Sequence, residues 1–247
     1  MVTTPLEPFS NAARKIMTQH ATAKEPVVFA VDDDTQASRA AAELVRSFGH
    51  QVHTFDSPRE FLEELERIDP EQVGCVVLDL RMPGMDGIEL HQRLVERDLC
   101  LPAIIVTGYA DTALTVRAMR SGVLAVLDKP CRDNELWSFI QEAIAKSEDE
   151  VGRRRYRKSL EERFRRLSPH DRQVLQLILE GCKNRTMAKR LDVSLRTVEN
   201  RRRRVFDAMQ AESVAELTRM VMEYEHRLAH SETCSEGWMS LPFERAG

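Results

Sequence analysis

Asp32, Asp33, Asp79, Thr107 and Lys129 are the residues whose types and placing suit chemistry at a charged oxygen. Each follows a short apolar run: VVFAV before Asp32, VGCVVL before Asp79, AIIV before Thr107 and LAVL shortly before Lys129. An acid after a strand is usually a turn former or a helix cap, but the set is more specific than any member. Carboxylates gathered on one rim repel one another and would be costly in a purely structural role. A hard divalent cation removes the difficulty. Mg2+ takes oxygen ligands in octahedral geometry and keeps several waters, which suits two carboxylates, a backbone carbonyl and an incoming phosphoryl oxygen.

The elements that must gather these residues alternate. Strands are expected at VVFAVD, QVHTF, 73–78, AIIVT and LAVL. Helices are expected at 35–48 with Gly49 as cap, 58–68, 86–97, 111–120 ending at Gly122, and from 133 onward. Five strands alternating with five helices predict an α/β fold, a flavodoxin-like, five-stranded, doubly wound parallel sheet, because parallel neighbours need right-handed crossovers. Reactive groups in such a sheet collect at the carboxyl ends of the strands. Asp32, Asp33 and Asp34, Asp79, Thr107 and Lys129 all fall there.

The chain has 247 residues and a net charge of -4, which conceals a division. Residues 24–146 hold 13 basic against 22 acidic residues, and 151–227 hold 20 against 11. An acidic globular domain and a basic one facing a polyanion are implied. The five scattered cysteines lack C-x-x-C spacing and argue against a disulfide framework or a zinc site. No apolar run reaches signal-peptide or membrane-span length, so a cytoplasmic protein is expected.

The constellation at Asp32, Asp33, Asp79, Thr107 and Lys129 resembles the receiver domain of two-component response regulators over about 26–146. The resemblance implies that Asp79 is the phosphoacceptor and that Mg2+ is the cofactor. It makes Asp33 a direct metal ligand with Asp79, Asp32 a ligand through water, and Arg81 a ligand through its backbone carbonyl. Thr107 would donate to one phosphoryl oxygen and Lys129 would pair with another, aimed by a cis peptide before Pro130. One departure is Val126, where many receivers carry a Tyr or Phe that moves on phosphorylation; Tyr109 is a candidate substitute.

The second half is helical. The charged stretch KSEDEVGRRRYRKSLEERFRRL reads as a helical linker over 147–166, solvated, paired with a second copy, or packing Leu160, Phe164 and Leu167 on the next domain. Ser168 and Pro169 start a helix to about Glu180. A helix over 184–191 capped by Asn184, a DVS turn, and a helix over 195–209 capped by Ser194 have helix-turn-helix proportions. A fourth helix covers about 213–226. Val198, Val205 and Met209 share one face of the 195–209 helix, so Arg196, Glu199, Asn200, Arg203 and Asp207 face outward.

Arg203 suits guanine and Asn200 adenine, while Glu199 accepts from cytosine or orients Arg203. Arg201, Arg202 and Arg204 flank that face and suit phosphates. The string LSPHDRQVLQLILEGCKNRTMAKRLDVSLRTVENRRRRV is similar to the LuxR-type helix-turn-helix of NarL/FixJ response regulators, with His170 and Asp171 replacing the commoner basic and glutamate pair. That resemblance adds Thr197 to the DNA-contacting set. It places a small all-α DNA-binding domain at 167–227, after the linker.

Residues 1–25 and 228–247 are expected to be a flexible leader and tail, with Trp238, Leu241 and Phe243 as a possible docking motif. The implied partners are a sensor histidine kinase, double-stranded DNA, a second copy on activation, and RNA polymerase. A turnover enzyme is not expected: the D-x-D-x-T signature of Mg2+-dependent phosphatases would need a Thr two residues after the second acid, and VDDDTQ lacks that spacing. A receiver fold used only for pairing, without phosphorylation, is the other alternative, kept open by Val126.

Overall fold

The computed structural model describes residues 25–108 and 112–230, the last five by backbone alone. The expectations for the leader, for Tyr109 and for Trp238, Leu241 and Phe243 lie outside the described residues. Five strands, β1 (Val27–Val31), β2 (Gln51–Phe55), β3 (Gly74–Leu78), β4 (Ala103–Thr107) and β5 (Ala125–Asp128), form one parallel sheet in the order β2-β1-β3-β4-β5. Between them run α1 (Thr35–Ser47), α2 (Pro58–Leu65), α3 (Gly87–Glu96) and α4 (Thr112–Arg120), and α5 (Asp133–Arg165) follows β5.

Alternation along the strands sends successive side chains to opposite faces. Val76 and Leu78 of β3 join Phe61 and Leu65 of α2 and Ile88 and Leu94 of α3 in one core. Cys75 and Val77 join Val45 of α1 and Leu136 and Ile140 of α5 in the other. Strands covered on both faces read as unbroken apolar runs, and β1, β3 and β4 are buried throughout. Burial pushes the Cys75 thiol up to about 12, which makes it a core residue rather than a reactive one.

Helix ends follow side-chain caps. Asp34 accepts from the Gln36 and Ala37 amides and starts α1, and Asp86 with Glu89 forms a capping box on α3. Helix α2 stops at Leu65, short of 68, because the Arg67 and Ile68 amides turn back to Glu64 and Leu65 in tighter bonds. His91 on α3 is buried, with Ser121 Oγ 3.5 Å from Nδ1, and its burial lowers its pKa.

Below the ordinary histidine value of 6.5, the unfolded chain therefore takes a proton that the folded chain resists. Stability falls as the pH drops through that value. A thermal-melt series from neutral to mildly acid pH should show this loss in the wild type and a flatter profile in His91→Gln; superimposable profiles would remove His91 as the cause.

Helix α5 is the longest element, and its linker portion is packed rather than solvated. Ser147 donates to the Cys100 carbonyl at 2.5 Å and accepts from the Gly74 amide at 3.1 Å. Val151 is buried in the sheet core, and Arg154 pairs with Asp98 at 2.6 Å. Leu160, Phe164 and Leu167 instead belong to a third core. The chain divides into two compact units between Arg154 and Arg155, inside this helix.

The second unit completes its core with α6 (Pro169–Leu179), α7 (Asn184–Arg190), α8 (Leu195–Met209) and α9 (Val214–His230). Asn184 proves to be the first helical residue, not the cap. Lys183 stands at the cap position without a side-chain bond, and burial of Met187 holds this short helix instead. Helix α9 continues to His230, past the expected 226, with Tyr224 stacked on Phe164 at 4.1 Å.

Candidate functional site

Three of the five predicted residues meet directly at the carboxyl edge of the sheet. Lys129 Nζ, just past β5, donates to Asp32 Oδ2 at 2.6 Å and to Asp79 Oδ1 at 2.8 Å. Both carboxylates are buried. Two oxygens that share one ammonium can be no farther apart than two hydrogen bonds, so the acids after β1 and β3 form a single centre. The other Asp79 oxygen, Oδ2, accepts from the Arg81 amide at 2.6 Å, and Asp32 Oδ1 accepts from the Asp34 amide at 2.9 Å.

The electrostatics follow from that packing. Burial raises the pKa of Asp32, with the Asp79 charge adding to the rise and Lys129 and the Asp34 amide opposing it. For Lys129, burial works downward, but its hydrogen bonds and charge contacts with both acids outweigh it, so its pKa ends raised. The ammonium stays charged and neutralises a pair of carboxylates that would otherwise repel. Thr107, almost fully buried at the end of β4, accepts from the Lys129 amide through its carbonyl at 2.8 Å. The Lys129–Pro130 bond is cis, as expected.

Asp33 is exposed beside Asp32. Among the described residues no three His, Cys, Asp or Glu side chains form a ready cation cage. The donor set still fits Mg2+, which commonly uses one or two carboxylates and keeps several waters. Asp34, the third acid of the run, is spent on the helix cap. A cleft of about 480 Å3 opens beside the centre, walled by Ala37 and Ala41 of α1 and by Leu136 of α5.

Gly87 makes room for the acid. A Cβ there would lie 2.3 Å from the Asp79 carbonyl, so only glycine lets α3 start this close to the acid. The signal was its place at the end of the Met-Pro-Gly loop. Val126 is half-buried against the α2–α3 core.

In the second unit α8 presents the predicted outer face. Arg196, Glu199, Asn200, Arg203 and Asp207 are exposed, while Val198, Val205 and Met209 are buried. Ser194 caps the helix by accepting from the Thr197 amide at 3.1 Å, and the Thr197 hydroxyl lies 2.8 Å from that of Ser194. Arg202 lies over the Phe206 ring at 5.9 Å. Arg204 donates to Asp171 at 2.9 Å, which pins the middle of α8 to the start of α6.

Comparison with known proteins matches the same two regions. Residues 28–141 match the response regulator receiver domain, and 165–221 match the bacterial regulatory proteins of the luxR family. The transcriptional regulatory protein FixJ of Bradyrhizobium diazoefficiens is 36% identical over 195 residues, covering 79% of this chain and 94% of its own. The chain is a response regulator of the NarL/FixJ type.

The tetrathionate response regulatory protein TtrR of Salmonella typhimurium is 33% identical over 76% of this chain and 88% of its own. The solved structure of the response regulator StyR is 36% identical, with a TM-score of 0.75 over 81% of this chain and all of its own. Members of this family are phosphorylation-dependent transcriptional regulators and not turnover enzymes. The receiver implies a histidine kinase as partner and the luxR-type domain implies DNA. Receiver domains bind Mg2+ at their phosphorylation site. Among the described residues, no helix is long and apolar enough to cross a membrane.

Proposed function

We propose that Asp79 is the phosphoacceptor of this response regulator and that its acyl phosphate controls DNA binding by α8. The carrying observation is the buried Asp32–Lys129–Asp79 centre, with Lys129 2.6 and 2.8 Å from the two acids. An Asp79 carboxylate oxygen attacks the phosphorus of a phosphohistidine or a small acyl phosphate. The bond to the donor breaks, the donor leaves with its electron pair, and the acyl phosphate forms. Such transfer depends on positioning and charge neutralisation.

Lys129, already held against Asp79, passes to a phosphoryl oxygen as the carboxylate gives up its charge. The Thr107 hydroxyl donates to a second phosphoryl oxygen. Asp33, Asp79 and the Arg81 carbonyl, with Asp32 through water, would hold Mg2+, which supplies further neutralisation of the phosphoryl charge. Incubation with acetyl phosphate and Mg2+ should yield an acyl phosphate that hydroxylamine cleaves. A chain that stays unlabelled would overturn the assignment.

On the DNA side, Arg196, Glu199, Asn200 and Arg203 read base edges. Thr197, Arg201, Arg202 and Arg204 meet the phosphates, and Arg204 also keeps its bond to Asp171. Arg203→Ala should cost about 1–3 kcal/mol of discrimination between sequences. Arg202→Ala should weaken binding almost uniformly and reduce the salt slope by about one. Filter binding to selected and shuffled duplexes checks both; the same loss on both duplexes from both changes would contradict this division of roles. Activation brings two copies together on DNA in the cytoplasm, where the bound pair contacts RNA polymerase.

A further inference from the structure

The basic residues of the second unit read as a DNA-facing surface, but one of them points inward. Arg163, on the last turn of α5, is only 4% exposed, and its Nη1 donates to the Met209 carbonyl at 3.0 Å. Met209 is the last residue of α8 and is fully buried. The final carbonyls of a helix have no partner within it. At this end the Gln210 and Ala211 amides turn back to Asp207 and Phe206, and Gln210 adopts a left-handed conformation with φ 51°. The Met209 carbonyl lies beyond those bonds, and the Arg163 guanidinium satisfies it at the negative end of the helix dipole.

Packing alone does not call for a cation here. Leu160, Phe164, Leu167, Val205 and Met209 form part of this unit's apolar core, and an apolar residue of similar size often serves a core as well as a buried charge does, or better. What the charge adds is direction, because a hydrogen bond to one carbonyl fixes a helix end in a way that oily contacts do not. Ser194 holds the start of α8, Asp171 holds its middle through Arg204, and Arg163 holds its end.

We propose that Arg163 is a positioning residue for sequence recognition: it sets the tilt at which α8 delivers Arg196, Asn200 and Arg203 to base edges. The proposal rests on α8 being the DNA-reading helix. Bidentate pairs with bases tolerate little misalignment, whereas long side chains follow phosphates through a small tilt. Loss of Arg163 therefore falls on specificity more than on affinity for DNA in general.

The test uses the full chain with acetyl phosphate and Mg2+. Wild type first enriches a duplex from a random pool. Its affinity for that duplex and for a shuffled one is then compared with those of Arg163→Met and Arg163→Lys. In Arg163→Met the selected duplex should bind about tenfold more weakly, a 1.4 kcal/mol effect, with the shuffled duplex nearly unchanged. Arg163→Lys, which keeps the charge, should restore most of the difference.

Amide exchange over 206–211 should quicken in Arg163→Met while that over 195–199 does not. If Arg163→Met fails to fold, Arg163→Gln replaces it and must lower the ratio in the same direction. An equal fall on both duplexes, or an unchanged ratio in a folded variant, overturns the proposal. A wild type that enriches no sequence overturns the reading of α8 itself and this role with it.

Discussion

Asp79→Asn should remain folded and take no phosphoryl group from acetyl phosphate and Mg2+, whereas the wild type is labelled. The asparagine amide keeps the shape of the side chain, and its oxygen can still accept from Arg81 or Lys129. Lys129 also retains Asp32, 2.6 Å away, so the centre keeps one ion pair and loses one buried charge. The lost group is the proposed nucleophile: a neutral amide does not attack phosphorus under these conditions. Circular dichroism should match the wild type, and phosphate-affinity electrophoresis should show no shifted band. An undiminished band would move the chemistry to another acid, with exposed Asp33 the first to examine.

Phe164→Ala should unfold the second unit while leaving the first able to accept phosphate. Phe164 is 3% exposed, stacked on Tyr224 with ring centroids 4.1 Å apart, and part of the third core. Truncating a buried Phe to Ala costs about 3–5 kcal/mol, a large share of the 5–15 kcal/mol that holds a typical domain. The first unit has two cores of its own, and the one that reaches this helix ends with Val151. Thermal melts should show one transition shifted steeply downward, with acyl phosphate formation retained and DNA binding lost. A single, unshifted transition would mean that α5 does not contribute to the third core.

The meeting of Asp32, Asp79 and Lys129 on one rim was legible because strand ends are local features. Each apolar run stops on its polar residue or one position before it, and the parallel order brings those ends together whatever the details of packing. The exposed face of α8 was legible for a similar reason, since Val198, Val205 and Met209 mark the buried side of the helix. Local pattern could not divide the run Asp32, Asp33 and Asp34, where one acid is buried against Lys129, one is exposed and one caps α1. Three identical neighbours differ only in the direction that the backbone gives them.

Arg163 was invisible for the opposite reason. Its neighbours Arg165 and Arg166 make the stretch read as a solvated charge run, and only the carbonyl of a residue 46 positions away shows which arginine turns inward. The stretch around Val151 and Leu160 likewise offered apolar residues at loose helical intervals. Assigning Val151 to one core and Leu160 to another needs the tertiary partners.

Phosphorylation of Asp79 should govern DNA binding, and the direct measurement is affinity for a selected duplex with and without acetyl phosphate and Mg2+. The coupling should be within the roughly 5–150-fold range of ordinary allosteric systems for the wild type and absent from Asp79→Asn. Equal wild-type affinities in the two states, with labelling of Asp79 verified in the same samples, would contradict it.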